Sequence, residues 1–262
     1  MIKLFLTICT FLWTFPVSAQ PSRYTTQNAH SHNDYEQDAP FWAAYNKGFG
    51  SIEADIFLTP GNDHLLVAHT PAELISKKRS FDSLYLIPLA ACIRKNKGTP
   101  YNDRRKKLQL LIDIKTAPIA TLNKLIETLM HYPELTSTPQ LQFVISGNRP
   151  GIDSFNLYPQ FIMFDGEFGK NYKEASLARL VLMSANIRSY TNWNGKGNMP
   201  EMDLIKLKAA IQESHRMNKP VRFWNAPDDV NAWEVLMQAG VDLINTDKIN
   251  ELAGFLAKLP AS

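Results

Sequence analysis

Short apolar runs alternate with longer segments of helical period along most of the chain, and this alternation constrains the fold more than any other feature. The runs lie at 51–57, 65–68, 108–114, 141–145, 161–164, 180–185, 221–224 and 241–245. Many are rich in Val, Ile, Leu and Phe on both faces, as parallel strands are when both faces are covered. Helical spacing fills 39–47, 119–131, 201–217, 228–239 and 249–259. Pro200-Glu201 and Pro227-Asp228-Asp229 supply the proline and acids of a first helical turn, and Gly240 stands where a helix should end. Strand-then-helix order throughout predicts a parallel α/β domain. The chain has 262 residues, and one (β/α) barrel uses about 250. The prediction is therefore a single (β/α)8 TIM-type barrel, with 65–68 either a barrel strand or a hairpin partner. Chemistry in such a barrel collects where the strands end at their C-terminal side, so the polar residues after each run carry the functional information.

The first residues obey a different rule. Lys3 is followed by an apolar stretch from Leu4 to Val17, and Val17-Ser18-Ala19 offers the small-x-small pattern of a cleavage site. This predicts a signal peptide over 1–19, export to the periplasm or the medium, and a barrel domain over 20–262. The stretch is shorter than the roughly 20 apolar residues of a membrane span, so no stable span is expected. Only Cys92 remains after cleavage, inside the apolar stretch 86–93. It reads as a buried, inert thiol, and the domain must be held by its core rather than by a disulfide. The net charge of +3 is spread along the chain. The densest basic tract, Arg104-Arg105-Lys106-Lys107, reads as a solvated loop before a strand, which argues against nucleic-acid binding.

Glu53 and Asp55 alternate with apolar neighbours in Ser51-Ile-Glu-Ala-Asp-Ile-Phe, so on a strand they share a face. Two inward carboxylates repel and are costly to bury unless something positive sits between them, and a divalent cation suits oxygen ligands. The alternative is an edge strand with solvated acids. Asp113 ends another apolar run, and Lys115 follows on the same side. The pair reads either as a further metal ligand beside a phosphate-neutralising ammonium or as a structural ion pair. Among six histidines, His30 and His32 follow a short strand-like start at 27–29, and His69 ends Leu65-Leu-Val-Ala-His. Histidines at strand ends suit acid/base work near neutral pH. His131 and His215 fall in helical patterns and His64 in a turn, and these read as structural.

The order of these pieces resembles the glycerophosphodiester phosphodiesterase family and its PI-PLC-like superfamily. It runs as His30, then Glu53-Ala-Asp55 with Thr59 and a turn, then Leu66-Val-Ala-His69, then Asp113-Ile-Lys115. The C-terminal part is similar through Val221-Arg-Phe-Trp224-Asn225, Asp228-Asp229 and Ala239-Gly-Val-Asp-Leu-Ile-Asn-Thr246-Asp247. The likeness spans about 26 to 250, and its specificity lies in the ordered combination. Ser31 and His32 replace the usual arginine and glycine after the first histidine, and the third acid is Asp rather than the commoner Glu. The His-Ser-His-Asn-Asp-Tyr form looks like the branch named for altered inheritance of mitochondria protein 6, and Asp-Ile-Lys-Thr is similar to the sphingomyelinase D relatives.

The resemblance implies an exported, metal-dependent phosphoric diester hydrolase of glycerophosphodiester or phospholipid headgroups. Glu53, Asp55 and Asp113 would hold one Mg²⁺ or Ca²⁺, and His30 and His69 would be general acid and base in either order. Lys115 would bind the phosphate. Asn33 and Trp224 would line the substrate pocket, Trp224 either stacking on substrate or packing the barrel. His32 would touch substrate or metal. The nucleophile would be water or a neighbouring hydroxyl of the substrate. Two rival readings stand beside this one. A two-metal hydrolase of the amidohydrolase or polymerase-histidinol-phosphatase type also uses a His-x-His pair, but it needs further histidines at later strand ends. A non-catalytic barrel that binds headgroups or carbohydrate would hold a diester without converting it.

Overall fold

The computed structural model describes residues 21, 23–61, 64–77 and 79–260, so the expected signal peptide lies outside the described residues, as do Asn62 and Asp63 of the turn at 60–63. The strands are β1 (Ala29–Ser31), β2 (Ser51–Leu58), β3 (Leu65–Val67), β4 (Arg79–Ser80), β5 (Leu108–Ile114), β6 (Leu141–Gly147), β7 (Ile162–Glu167), β8 (Leu180–Asn186), β9 (Val221–Trp224) and β10 (Ile244–Thr246). Eight of them follow one another in the order β10-β1-β2-β5-β6-β7-β8-β9. Every ladder along this path is parallel. The last junction, between β9 and β10, is a single parallel bridge of Arg222 with Leu243. There the amides of Asp242 and Leu243 both donate to Val221 O, at 3.1 and 3.0 Å. The architecture is thus the predicted (β/α) barrel with one lightly stitched seam.

β3 pairs antiparallel with β2, and β4 antiparallel with β3. The run at 65–68 is therefore a hairpin partner outside the ring, and β1 supplies the remaining barrel strand. Around the ring stand α1 (Trp42–Lys47), α2 (Pro71–Lys77), α3 (Ile87–Lys95), α4 (Pro118–Met130), α5 (Pro133–Thr136), α6 (Glu174–Leu177), α7 (Glu201–Arg216), α8 (Val230–Ala239) and α9 (Ile249–Ala257). Their ends follow sequence chemistry. Asp229 caps α8 by accepting from Ala232 N at 2.9 Å, and Gly240 closes it in the left-handed region at φ 99°. No described helix is long and apolar enough to cross a membrane.

Two layers of core result. Ile52, Ala54 and Ile56 of β2 are fully buried on the strand face away from Glu53 and Asp55, where barrel strands meet their helices. Inside the ring, Leu111 and Val144 stand in register on β5 and β6, also fully buried. Leu111 stands beside Glu53 in the β2–β5 register, so apolar side chains flank the inward carboxylates inside the ring. Cys92 is buried in α3, as its apolar surroundings predict. Arg105, in the basic tract before β5, is exposed.

Candidate active site

Alternation along β2 turns Ser51, Glu53 and Asp55 toward the axis, and the β2–β5 register sets Asp55 opposite Asp113. β2 lies inside the sheet, so both of its carboxylates are buried rather than solvated. One carboxylate oxygen each from Glu53, Asp55 and Asp113 lies within 4.8 Å of the others. The Lys115 ammonium bridges two of them, 2.9 Å from Asp55 Oδ2 and 2.9 Å from Asp113 Oδ2. Asp55 Oδ1 and Asp113 Oδ1 remain buried without a partner among the described residues. Buried oxygens with no donor are costly, and a hard divalent cation with oxygen ligands fits them. Burial and the neighbouring Glu53 push Asp55 up to about 7, against the pull of Lys115. Burial also raises Asp113, again opposed by Lys115. Burial alone would lower the Lys115 ammonium, but Asp55 and Asp113 outweigh it and the group is raised.

Glu53 differs from its neighbours. Burial works against its charge, but Arg222 and His30 outweigh that and hold its carboxyl well below the usual range. Arg222 Nη1 donates to Glu53 Oε2 at 2.7 Å and lies 2.7 Å from His30 Nε2. His30 Nε2 is also 2.8 Å from Glu53 Oε2, and His30 Nδ1 is 2.7 Å from Ser51 Oγ. Burial and Arg222 push the His30 imidazole down to about 4 despite Glu53, so the ring is neutral near neutral pH. Arg222 also reaches Ser184 Oγ and Asn245 Oδ1, both at 3.3 Å, and stands 3.8 Å from Asp165 Oδ2. Ser146 Oγ donates to the same Asp165 oxygen at 2.9 Å. The guanidinium therefore ties β9 across the floor of the mouth to β1, β2 and β7.

The remaining predicted residues come from the ends of the same strands. Asn33 takes a left-handed turn after β1, at φ 45°. The Tyr35 hydroxyl then reaches Asp55 Oδ2 at 2.7 Å, Asn33 Oδ1 at 2.8 Å and His69 Nδ1 at 3.1 Å. His69 follows the hairpin strand β3, and its side chain is 56% exposed. His32 Nδ1 lies 2.9 Å from Asp247 Oδ1 and 3.1 Å from Asn33 Nδ2. Burial opposes its charge, but Asp247 and Glu53 outweigh it and raise the imidazole. Trp224 ends β9 and is 40% exposed, so it stands at the rim rather than in the barrel packing. His32, Asn33, Glu53, Asp55, His69, Asp113, Lys115, Arg222 and Trp224 all line one cleft of about 690 Å³. His30 lies beneath it, fully buried.

All nine candidate residues thus gather at one end of the barrel. The histidines read as structural fall elsewhere. His131 caps the C-terminus of α4, and His215 Nε2 pairs with Asp242 Oδ2 at 2.8 Å. Asp242 also accepts from Val221 N at 2.8 Å, at the end of β9 opposite the mouth. Sequence reasoning passed over Tyr35, Asp165 and Arg222. The visible signal for the last two was a charge inside an apolar strand run, in Phe164-Asp165 and Val221-Arg222-Phe223.

Comparison with known proteins agrees with this geometry. Residues 22–136 match a family described as AIM6-like phosphodiesterase domain, and residues 220–249 match the glycerophosphoryl diester phosphodiesterase family. Altered inheritance of mitochondria protein 6 from Kluyveromyces lactis is 25% identical, over 87% of this chain and 72% of that protein. Its homolog from Arthroderma benhamiae is 24% identical, over 86% of this chain and 82% of that protein. Among solved structures, a glycerophosphodiester phosphodiesterase from Parabacteroides distasonis superposes with TM-score 0.56 at 14% identity, covering 88% of this chain and 96% of that one. A Ca²⁺-dependent phosphatidylinositol-specific phospholipase C from Streptomyces antibioticus does so with TM-score 0.57 at 12% identity, covering 88% and 97%. At such identities the structures speak for the fold alone. The resemblance carried by the motifs from His30 to Asp247 is borne out at both ends of the chain.

Proposed function

Starting from that likeness in sequence and fold, we propose that this protein is a metal-dependent phosphodiesterase, cleaving a diester of glycerophosphodiester or phospholipid-headgroup type. The observation that carries the reading is the pair of buried, partnerless oxygens, Asp55 Oδ1 and Asp113 Oδ1, beside Glu53. One divalent cation, Mg²⁺ or Ca²⁺, suits this all-oxygen donor set. The Ca²⁺ dependence named for the Streptomyces structure supports the choice of a hard cation. When bound, the cation supplies charge stabilisation at a non-bridging phosphate oxygen.

The chain's own residues do the rest. Lys115 presents an ammonium at the same edge of the cleft and neutralises a phosphate oxygen. His69, at the mouth, exchanges a proton with the reacting oxygen on its side, and the resemblance implies His30 as its counterpart. Asn33, His32 and Trp224 contact the substrate at the rim. The apolar stretch from Leu4 to Val17 supports action outside the cytoplasm. Nothing specific favours the two-metal rival. His131 and His215 both lie away from the mouth, which leaves no later strand-end histidine to complete a second metal site.

The test is ³¹P NMR on a panel of glycerophosphodiesters, lysophospholipids, sphingomyelin and phosphoinositides, with Mg²⁺, with Ca²⁺ and with chelator. Loss of one diester that needs the cation, and is absent in Glu53→Gln, is the expected result. A wild-type chain that leaves every diester intact under both cations would remove the reading.

A further inference from the structure

His69 stands where the barrel alone cannot hold it. It follows β3, outside the ring, and its side chain is 56% exposed. An exposed side chain samples several rotamers, whereas proton transfer needs one placement. Asp55 has the complementary need. A cation takes a carboxylate oxygen that is free of protein donors and held still, and Asp55 has two oxygens to share out.

One hydroxyl serves both. Tyr35 is fully buried, and its OH donates to Asp55 Oδ2 at 2.7 Å. The Lys115 ammonium lies 2.9 Å from the same oxygen. With Oδ2 taken twice, Oδ1 is the oxygen left without a partner among the described residues. The Tyr35 hydroxyl also lies 3.1 Å from His69 Nδ1 and 2.8 Å from Asn33 Oδ1.

We propose that Tyr35 is a positioning residue that holds the cation site and His69 as one unit, so that filling the site is felt at the His69 ring. This rests on the cation site of the phosphodiesterase reading and not on its substrate.

Local structure fixes the phenol from two sides. Asn33 turns left-handed at φ 45°, and Asp34 pins the turn by accepting from Ser31 Oγ at 2.7 Å and from Phe41 N at 2.6 Å. Tyr35 comes directly after this turn. Arg79 holds it from the other side. Its Nη1 donates to Tyr35 O, its guanidinium carbon stands 5.5 Å from the ring centroid, and its Nη2 donates to Glu36 Oε1 at 2.7 Å. Arg79 belongs to β4, by which the hairpin returns. Its Nη2 is also 3.9 Å from Glu73 Oε2, which accepts from His69 N at 3.1 Å. The excursion from β3 to β4 therefore meets Tyr35 twice, through His69 as it leaves and through Arg79 as it comes back. A carboxylate is one rigid planar group. When a cation draws Asp55 Oδ1, Oδ2 moves with it, and the hydroxyl carries that movement to His69.

The probes are Ca²⁺ and Mg²⁺ alone, added to the full chain without substrate. Tyr35→Phe keeps the ring and the hold of Arg79 and deletes only the hydroxyl. Titration calorimetry should show cation affinity about 10- to 100-fold weaker than in wild type, as loss of a ligand's support does. Histidine ring NMR gives the second readout, the His69 signal being the one that disappears in His69→Gln. In wild type that signal should move as the cation site fills. In Tyr35→Phe it should stay near its cation-free position even when enough cation is added to fill the weakened site. His131 and His215, both away from the mouth, should hold still in both chains, whereas a general loosening of the fold would shift them too. Arg79→Gln leaves the hydroxyl in place and loosens the ring behind it, so it should lose cation affinity by a smaller factor. Should Tyr35→Phe fail to fold, that loss decides alone. Unchanged cation affinity in Tyr35→Phe, or a His69 signal that follows the cation as in wild type, would overturn the assignment and leave the phosphodiesterase reading in place. A wild-type chain that binds neither cation would remove the metal-dependent reading and this inference together.

Discussion

Asp34 is a buried carboxylate that the proposed reaction does not use. Ser31 Oγ donates to it at 2.7 Å, Phe41 N at 2.6 Å and Tyr85 OH at 3.1 Å. Burial nevertheless outweighs those donors and pushes the group up from 3.8 to about 6. Because the folded state holds this proton more tightly than the unfolded chain, the stability it contributes is complete below pH 3.8 and is lost as pH rises through about 6. The whole effect is roughly 3 kcal/mol. Asp34→Asn keeps the size, keeps an acceptor for Phe41 and Tyr85, and offers an N–H to Ser31 Oγ. Its urea stability relative to wild type should therefore climb between pH 4 and pH 7.5. A difference that stayed flat across that range would show that Asp34 does not titrate there. Residues of this kind mark the limit of sequence reading. Glu53 and Asp55 were legible because alternation on one strand is local. Arg222 was not, because its partner His30 is 192 positions away and only the barrel brings them together. Tyr35 was hidden in the same way, as its hydroxyl serves residues on three different segments.

At the scale of elements, the apolar runs became strands nearly where the sequence put them, since a buried parallel strand needs little besides β-branched and aromatic residues. What escaped was α3, whose apolar residues 86–93 cover every side of the helix and so show no period. The unusual entry to it, a π-helical stretch over Asp82–Leu86 running into Pro88, has no pattern in the sequence. The ends of elements matter more to the site than their centres. β6 ends at Gly147, in the left-handed region at φ +65°, and a Cβ there would stand 1.8 Å from Asp113 Oδ1 and 2.7 Å from Ile114 O. This glycine is what lets the Asp113 carboxylate turn inward. Gly147→Ala should keep the barrel but weaken Ca²⁺ or Mg²⁺ binding by about 10- to 100-fold, as loss of a ligand's support does. Titration calorimetry would read it. Gly151→Ala, where nothing lies within 4 Å of the new Cβ, is the matched control and should bind normally.

For the molecule as a whole, the barrel has one end built for chemistry and one built for closure. The chemical end was legible because polar residues interrupt the apolar runs at their C-terminal sides. The closing end was not, because it depends on a segment before the first strand that shows no period of its own. Thr26 O accepts from Gly50 N at 3.0 Å and Gln27 Oε1 from Lys107 N at 2.8 Å, tying the entries of β2 and β5. Asn28 Nδ2 donates to Asp242 O at 3.1 Å, ahead of β10. Tyr24 OH donates toward Val241 O at 2.8 Å and Met237 O at 3.1 Å, at the end of α8. The segment thus braces the ring on both sides of β1, next to the seam where β9 and β10 share a single bridge. If the seam is held from outside in this way, Tyr24→Phe should cost about 1 kcal/mol, the worth of one hydrogen bond left unmade. The urea midpoint should fall while the slope stays fixed, because the ring and its brace unfold together. A lower slope or a second transition would mean instead that β10 and α8 part from the barrel on their own, and that the seam needs the brace to close at all.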